Sequence, residues 1–287
     1  MAETTRRLLS EAEFKRLHSQ SDTAFTRVRL LTFGVVVAII LRNGMKSLQN
    51  SVSEALSWLG LGTASASAYS QARYKLKHTA FIELNRQAVV ETVYCDDDYR
   101  RFWGFRVLAV DGSKIALPDT KDVRNEFGVI AYTDGQSSEV IGEKPWALAS
   151  VLYDVLNRVA LDATLGKARD YEVDRAAEHL AWTREGDLLV MDRNYPSYRM
   201  LAECTKAGRE FAVRCSAASF AQARRMLKGE GPDSQRVRLE PCAGQAADIR
   251  ARTLPMSLEV RLVRVLLPTG AYEVLVTSLL DESSYPT

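Results

Sequence analysis

The chain has 287 residues, of which 46% are hydrophobic and 26% charged, and its formal net charge is +2. This balance is typical of a folded globular protein of one to three domains and excludes a disordered or highly charged chain. Any nucleic-acid surface must therefore come from local clusters of basic residues. The four cysteines and three histidines are scattered. Their spacing favours reduced thiols and structural or exposed imidazoles over a zinc site, a disulfide framework or a histidine-based triad.

Residues 1–98 are predicted to form an all-helical N-terminal region. A capping-box pattern at residues 10–13 predicts the start of a short helix. An apolar helix is expected over about residues 25–41, with Asn43 and Gly44 as its C-cap. A third helix is predicted to begin near Ser47, and a last one to span about residues 79–94.

The most apolar stretch of the chain, residues 30–41, is too short to cross a bilayer. The amino terminus also lacks the pattern of a signal peptide. We therefore expect a buried helix at this stretch and no membrane association.

A basic run within the helical region contains Arg73, Lys75 and Lys77 and follows small hydroxyl residues. Such residues at the start of a helix suit contacts with the phosphate backbone of DNA. The competing interpretation is a solvated helix face, because three cations are few against the charge density of DNA.

Four apolar residues, 107–110, are followed by Asp111 and Gly112. This run is typical of a central strand buried on both faces. The strand is predicted to end at Asp111, because Gly112 lets the backbone turn away.

A second stretch repeats this design, since the apolar residues 188–191 are followed by Asp192. If the two strands are parallel neighbours, Asp111 and Asp192 lie side by side at the carboxyl edge of the sheet, where α/β proteins bind ligands. Adjacent carboxylates repel each other, and a divalent cation between them relieves the repulsion. The competing interpretation is that each Asp is only a turn residue or a helix N-cap.

Residues 99–216 are predicted to form an α/β core around these strands. The polar stretch from Asp111 to about Lys144 predicts a long irregular segment, either functional or mobile. The order that follows is a hairpin over about 146–165, a helix over 170–182 and the strand of Asp192, then a helix over 196–207 and a strand over 210–215. Residues 217–287 alternate in hydropathy and carry many arginines, which predicts a β-rich insertion rather than another α/β layer.

Three antiparallel strands, a helix and a parallel fourth strand, with Asp on the first and fourth, resemble the ribonuclease H-like arrangement. The local sequences resemble DDE transposases of the IS4 family of bacterial insertion sequences. The matching segments are 66–76, 108–113, 152–157, 186–195 and 211–214.

The resemblance implies DNA cleavage and strand transfer by two-metal chemistry, with two Mg²⁺ ions about 3.5–4 Å apart and Mn²⁺ as an alternative. Asp111 and Asp192 are the implied catalytic and metal-binding residues. The implied phosphate contacts near them are Lys114, Arg193 and Tyr195, and the helical region is implied to bind DNA through its basic run. The implied partners are double-stranded DNA of the transposon ends and target, and a second copy in a homodimeric synaptic complex. The implied location is the bacterial cytoplasm, at the nucleoid.

Two features depart from the family pattern. Asn194 stands where the family has the Gly of an Asp-Arg-Gly-Tyr motif, and Asn tolerates a left-handed backbone. The family's third carboxylate, a Glu in a Tyr-x-x-Arg-x-x-x-Glu pattern on a helix, has no counterpart, and we expect the chain to be truncated before that helix.

Two other functions therefore stay open. One is a catalytically inactive, DNA-binding remnant of a transposase. The other is a metal-dependent phosphotransferase, since an Asp after an apolar strand also occurs in haloacid-dehalogenase-like phosphatases and actin-like kinases. The former need a second acid two residues further on, where this chain has Ser113.

Overall fold

The computed structural model describes residues 1–27, 29–42, 46–133 and 140–286. The chain divides into two compact units, Met1–Asp97 and Asp98–Thr287. The first unit is helical, and the second is a mixed α/β unit whose core is mostly sheet.

The first unit is built from helices that are short and closely spaced along the chain. They are α1 Ala2–Ser10, α2 Ala12–Leu17, α3 Phe33–Arg42, α4 Leu48–Trp58, α5 Ala66–Arg73, α6 Thr79–Leu84 and α7 Glu91–Tyr94. A π-helical segment, Asn85–Val90, joins α6 to α7, so that the backbone is helical throughout residues 79–94, as the sequence predicts.

Helix α3 is the most apolar helix of this unit, and one of its faces is buried in the hydrophobic core. Phe33, Val36 and Val37 are buried and pack in one core with Leu56 and Tyr69. The spacing of the three α3 residues puts them on one helical face. The predicted buried helix is confirmed, although it begins later than expected. No helix in the described part of the chain is long and apolar enough to span a bilayer.

Serine side chains cap the N-termini of two of these helices. Ser47 accepts a hydrogen bond from the Asn50 amide at the start of α4, and Ser65 accepts one from the Ala68 amide at the start of α5. Each bond satisfies an amide that has no partner within its helix. The predicted start of the third helix near Ser47 is therefore confirmed.

The predicted capping box at residues 10–13 is wrong. Ser10 is the last residue of α1, and its hydroxyl donates to the Arg7 carbonyl instead of capping α2. Helix α1 ends at Ser10 and α2 begins at Ala12, with a single residue between them. The residues that resemble the start of a helix therefore include the end of the preceding one. The predicted C-cap at Asn43 and Gly44 lies outside the described residues.

The second unit alternates strands and helices. In chain order they are β1 Arg106–Ala116, α8 Lys121–Phe127, β2 Val129–Tyr132, β3 Gly142–Asp154, β4 Val159–Lys167, α9 Glu172–Glu178, β5 Asp187–Met191, α10 Tyr198–Lys206, β6 Glu210–Arg214, α11 Ala221–Leu227, β7 Ser234–Leu239, α12 Ala246–Ala251, β8 Leu258–Leu266 and β9 Tyr272–Thr277. Within the described ranges these strands belong to one sheet, in the order β2-β3-β1-β5-β6-β9-β8-β7, with β4 also paired to β3.

The middle of this sheet has the strand arrangement that the sequence predicts. Strand β3 is antiparallel to both β1 and β4, whereas β5 is parallel to β1 and β6 is parallel to β5. Leu108 in β1 and Leu189 in β5 are fully buried, as expected for central strands covered on both faces.

A buried ion pair fixes how β1 and β5 are aligned. Arg106 and Asp187 lie opposite each other in the register. The Arg106 Nε and Nη2 atoms donate to the two carboxylate oxygens of Asp187, both at 2.7 Å. The two side chains are 5% and 1% exposed. A one-residue slip would separate these charges in the interior, so the pair selects one register.

A second buried network holds α9 against the sheet. His179, in a 3₁₀ turn that follows α9, is fully buried. Its Nδ1 lies 2.7 Å from Oδ2 of Asp162 in β4, and its Nε2 lies 3.0 Å from Oγ of Ser150 in β3. Ser150 is buried too and pairs with Gly112 of β1. Substrate cannot reach this Ser-His-Asp set, and the predicted structural role of the imidazole is confirmed.

One expectation about the second unit is wrong. The polar stretch after Asp111 is not a long irregular segment, because its described residues form the end of β1, then α8 and β2. Backbone pairing with β3 extends β1, and it leaves little trace in the side-chain pattern.

The segment after residue 216, predicted as a β-rich insertion, contains the strands β7, β8 and β9. Strand β9 pairs with β6, so that these strands continue the same sheet.

Candidate functional site

The two predicted carboxylates follow a directly paired set of residues on neighbouring strands. Val110 of β1 pairs with Met191 of β5, and Asp111 and Asp192 are the next residues. Val110 and Met191 are buried, whereas both aspartates are exposed. The parallel register therefore brings the two acids to the same level of the sheet, at the carboxyl end of β5.

Strand β1 does not end at Asp111, which corrects the sequence-based expectation. It continues to Ala116, and residues 111–116 pair with residues 146–151 of β3. Asp111 lies instead at the level where β5 ends. Beyond this point β1 has no pairing partner on the β5 side within the described residues.

Close packing, and not a turn, favours a glycine at position 112. A Cβ atom added to it would lie 3.3 Å from Cγ of Glu172 and 3.3 Å from the hydroxyl oxygen of Tyr195. Its φ is not in the left-handed region. The absence of a side chain lets Glu172 and Tyr195 approach the backbone beside Asp111.

The turn after β5 orients Asp192. Its Oδ1 accepts a hydrogen bond of 2.8 Å from the Asn194 amide, which leaves Oδ2 available. Asn194 is not among the described residues with positive φ. The turn therefore does not need the left-handed backbone that the family's Gly suggested, and an Asx-type bond stabilises it instead.

The Tyr195 side chain packs against Gly112, the residue that follows Asp111. This side chain is fully buried, and within the described part of the chain its hydroxyl oxygen has no hydrogen-bond partner of good geometry. Burial raises the pKa of the Tyr195 phenol, and the carboxylates of Glu172, Asp111 and Asp192 raise it further, against a smaller opposing effect of the Gly112 backbone. The hydroxyl therefore stays protonated and can donate a hydrogen bond.

Glu172 is the site residue that the sequence did not reveal. It is the first residue of α9, the helix that precedes β5. An acid in the first turn of a helix is common because it favours the positive end of the helix dipole. The signals available were Gly112 directly after Asp111 and a helix just before the second acid, and neither identifies a particular glutamate.

Some of the acids near α9 form ion pairs with arginines, and others do not. Asp170 pairs with Arg175, whose Nη2 atom lies 2.7 Å from its Oδ2, and Asp174 pairs with Arg199. In contrast, neither Asp111 nor Glu172 has an ion pair or side-chain hydrogen bond with any other described residue. Negative charge without a protein partner therefore collects beside β1 and β5.

The donor set suits a hard divalent cation, because Asp111 and Asp192 offer carboxylate oxygens alone. In the described ranges, no three His, Cys, Asp or Glu side chains already converge closely enough to enclose a metal ion. A bound cation would therefore require side-chain rotation, which the exposed side chains of Asp111 and Asp192 permit.

Two predicted phosphate contacts lie near the acids. Lys114 is exposed on β1 and pairs with Leu148 of β3, and Arg193 is exposed directly after Asp192. Neither forms an ion pair with another described residue. They are exposed cations close in sequence to the acids, and their contact with phosphate stays a prediction, as does that of the buried Tyr195.

The basic run of the helical unit has a different position from the expected one. Arg73 is the last residue of α5, and Lys75 and Lys77 follow it, so none stands at a helix start. Lys77 Nζ donates to the Leu17 carbonyl at 3.1 Å, and the Arg73 guanidinium lies 6.0 Å from the Tyr69 ring centre.

Lys75 instead lines an open cavity of about 790 Å³ within the helical unit, together with Arg27 and Arg29. Hydroxyl side chains line it as well, namely those of Thr23, Thr26, Thr63 and Ser65. Among the described residues that line it there is no carboxylate. We refer to this cavity as the basic cavity, and its chemistry suits an anion.

Comparisons with known proteins agree with this geometry. The transposase DDE domain family matches residues 102–254, while no curated protein sequence matches the chain. A piggyBac transposase synaptic complex with hairpin DNA aligns with a TM-score of 0.50 and 10% identity, over 98% of this chain and 62% of that chain. The present chain thus spans under two thirds of the piggyBac chain, and the likeness is one of fold.

A Drosophila P element transposase in a strand transfer complex aligns over 73% of this chain and 42% of that chain, with 12% identity. Its TM-score of 0.24 is too low to indicate a shared fold. The family match, in contrast, covers more than half of the chain and includes Asp111, Glu172 and Asp192. The chain therefore belongs to the transposase DDE domain family.

Proposed function

We propose that this protein binds the ends of a mobile DNA element and catalyses divalent-metal-dependent DNA cleavage and strand transfer. The observation that carries the proposal is the pairing of Val110 with Met191, followed on both strands by an aspartate, within residues matched to the transposase DDE domain. In this proposal Asp111 and Asp192 bind Mg²⁺ or Mn²⁺.

The protein's own contribution is to hold two carboxylates at one level and to orient one of them. The Arg106–Asp187 pair sets the register, and the Asn194 amide fixes one oxygen of Asp192. When bound, the metal ions activate the attacking water or 3′-hydroxyl and stabilise the leaving oxygen.

Lys114 and Arg193 are proposed to bind the phosphates on either side of the scissile bond. Both are exposed cations close in sequence to the acids. Lys provides a point charge and Arg can contact two phosphate oxygens at once. These contacts would position the DNA backbone without reading its sequence.

The basic cavity is proposed to bind the DNA backbone through Arg27, Arg29 and Lys75. Each cation that neutralises a phosphate releases a counterion, so that affinity falls with salt at a slope of about 0.9 per contact. Replacing all three by Gln should lower the slope of log Kd against log salt by about 2.7. The matched control is Arg73→Gln with Lys77→Gln, whose side chains contact Tyr69 and the Leu17 carbonyl. A lowered slope in the control variant as well would mean that Arg73 and Lys77 contact phosphates, as the sequence predicts. An unchanged slope in the triple variant would return Arg27, Arg29 and Lys75 to the role of solvated cations.

We further propose an IS4-type bacterial insertion sequence as the element, a homodimer in the synaptic complex, and a cytoplasmic, nucleoid-associated location. The sequence resemblance in the segments around Asp111 and Asp192 supports the type of element. Dimerisation fits the need of transposition to join two DNA ends.

Nicking of supercoiled DNA by residues 1–287 with Mg²⁺ or Mn²⁺ tests the proposed function. Asp111→Asn and Asp192→Asn should each lower the rate by more than about 100-fold, since even outer-shell partners of metal ligands are worth about 10–100-fold. Asp122→Asn, at an exposed acid in the first turn of α8, is the matched control and should leave the rate unchanged.

Other outcomes select other functions. DNA binding without nicking would favour a catalytically inactive DNA-binding protein. Hydrolysis of a small phosphoester such as p-nitrophenyl phosphate, without nicking, would favour a phosphotransferase.

A further inference from the structure

Arg261 of β8 is a buried cation without an anionic partner among the described residues. The residue is only 3% exposed. Its Nη2 atom donates to the Tyr285 carbonyl at 2.6 Å, whereas its Nε and Nη1 atoms are buried and have no hydrogen-bond partner within the described part of the chain. Burying a charge is costly when neither a counter-charge nor acceptors for its donors come with it. This arrangement points to an anionic ligand.

The other buried arginines of the second unit each have a carboxylate partner. Arg264, three residues further along β8, donates from its Nε atom to Asp233 at 2.7 Å, and its Nη1 and Nη2 atoms donate to backbone carbonyl groups. Arg106 forms its ion pair with Asp187. Arg261 therefore differs from both arginines that share its degree of burial.

The strand register places a second arginine directly opposite Arg261. Arg236 of β7 is its partner in the antiparallel pair, and opposed residues of such strands project from the same face of the sheet. Like charges in this position destabilise a sheet. Arg236 is exposed, and its Nε atom donates to the Leu280 carbonyl at 3.2 Å. The two guanidinium groups thus share a face on which neither forms an ion pair with another described residue.

The next arginine on this face already has acidic neighbours. Arg238 lies opposite Glu259 in the register, and its Nε atom is 3.8 Å from the Glu240 carboxylate. The excess of positive charge therefore lies at Arg236 and Arg261. An open cavity of about 560 Å³ is lined by both Arg236 and Arg238, so that the exposed end of the arginine pair is accessible to a solute.

Residues 279–286, which we refer to as the cover segment, lie over the arginine pair. The carbonyl groups of Leu280 and Tyr285 accept the hydrogen bonds of the two arginines. The Asp281 carboxylate accepts hydrogen bonds from two serines of the cover segment itself, and not from either arginine. The cover segment therefore offers the guanidinium groups neutral acceptors and leaves their charge uncompensated.

Aromatic contacts hold the cover segment in place. The Tyr285 ring centre lies 5.4 Å from that of Trp103 and 5.9 Å from that of Phe105. Trp103 is about half exposed, so solvent reaches this contact. No described residue of the cover segment belongs to a helix or a strand. The segment can therefore move away from the arginines without breaking strand pairing.

We propose that Arg236 and Arg261 form a binding site for a phosphate group, and that the cover segment closes this site until the phosphate displaces it. Release of the Tyr285 carbonyl frees Nη2 of Arg261, so that its guanidinium contacts two phosphate oxygens at once and Arg236 contacts a third. The bound anion neutralises the like charges on β7 and β8, which carbonyl groups cannot do. The inference goes beyond the proposed function, because its residues and its ligand are not those of the metal site.

The competing explanation is that Arg261 only anchors the cover segment. In that case its replacement would loosen the segment, but phosphate would neither bind there nor displace it. Phosphate affinity and the exposure of the cover segment must therefore be measured separately.

The experiment uses the full chain and inorganic phosphate, with the ionic strength held constant by NaCl. Isothermal titration calorimetry measures phosphate affinity, and hydrogen exchange read by mass spectrometry measures the exposure of residues 279–286. Phosphate should accelerate exchange in the cover segment and saturate at the concentration where binding saturates. Phosphate bound in the basic cavity adds a constant contribution to every variant below.

Two variants should change phosphate affinity in opposite directions. Arg261→Gln should weaken it by at least about tenfold, because hydrogen bonds to a charged group are lost. Tyr285→Ala should strengthen it by about two- to tenfold, because the ring contacts that oppose opening are removed. Arg250→Gln, at an exposed arginine in the last turn of α12, is the matched control and should behave as the wild type.

Unchanged exchange in the cover segment at saturating phosphate would refute the proposal, as would wild-type affinity in Arg261→Gln. Should Arg261→Gln fail to fold, Arg236→Gln at an exposed position replaces it, and unchanged phosphate affinity in that variant would refute the site. A short DNA duplex then distinguishes the sources of the phosphate. Faster exchange in the cover segment with the duplex identifies a nucleic-acid backbone as the ligand, and an effect of inorganic phosphate alone identifies a free anion.

Discussion

Replacing Arg106 by Met tests whether the buried ion pair aligns the two acid-bearing strands. The substitution leaves the Asp187 carboxylate, 1% exposed, without its two guanidinium bonds of 2.7 Å. A hydrogen bond from the Arg184 amide at 2.7 Å remains. A charged hydrogen bond is worth about 1.5–3 kcal/mol, and breaking a buried pair costs about 3–5 kcal/mol. We expect a loss of about 3–5 kcal/mol, a large share of a typical stability of about 5–15 kcal/mol.

The two units need not unfold together, so a global unfolding midpoint would mix their stabilities. Native-state hydrogen exchange at the amides of β1 and β5 reports the second unit directly. The control is the double variant Arg106→Met with Asp187→Leu. Because an apolar pair leaves no buried charge, this variant should recover most of the loss.

Two results would refute this reasoning. A loss below about 1 kcal/mol in Arg106→Met would mean that water replaces the guanidinium and that the pair behaves as a surface pair. A double variant as unstable as the single one would mean that Arg106 stabilises the strands by packing and not by charge.

Three further predictions concern other buried groups. His179→Leu should cost about 1–3 kcal/mol for each buried partner left without a hydrogen bond, which urea unfolding would measure; a neutral effect would mean that the network contributes no net stability. Burial raises the pKa of the Cys204 and Cys215 thiols to about 12, so iodoacetamide at pH 8 should label exposed Cys242 far faster, and equal rates by mass spectrometry would contradict their burial. Burial lowers the pKa of the His18 imidazole, so the first unit should be fully stable above about pH 6.5 and lose stability as the pH falls through the lowered pKa. Circular dichroism melting at pH 5 and 7 would measure this loss, and an equal loss in His18→Asn would assign it to another group.

The sequence predicted the paired acids because their signal is local. Four apolar residues before each Asp mark a buried strand, and parallel strands place their carboxyl ends at one edge of a sheet. The pairing of Val110 with Met191 agrees with this expectation. The length of β1 beyond Asp111 was not predictable in the same way, because backbone bonds to β3 maintain it regardless of side-chain type.

The position of Glu172 could not be predicted because it depends on packing between distant segments. Nothing in the local sequence separates it from Asp174, which lies in the same first turn and pairs with Arg199. The distinction arises from the approach of α9 to Gly112, sixty residues earlier in the chain. The basic cavity is similar, since Arg27 and Arg29 meet Lys75 only in the folded helical unit.

Anomalous diffraction from a crystal soaked in Mn²⁺ is the most direct test of the proposed metal site. We predict an anomalous peak at coordination distance, about 2.0–2.1 Å for the corresponding Mg²⁺ ion, from a carboxylate oxygen of Asp111 and one of Asp192. A Mn²⁺ peak elsewhere in the second unit, with Asp111 and Asp192 bound only to water, would contradict the account.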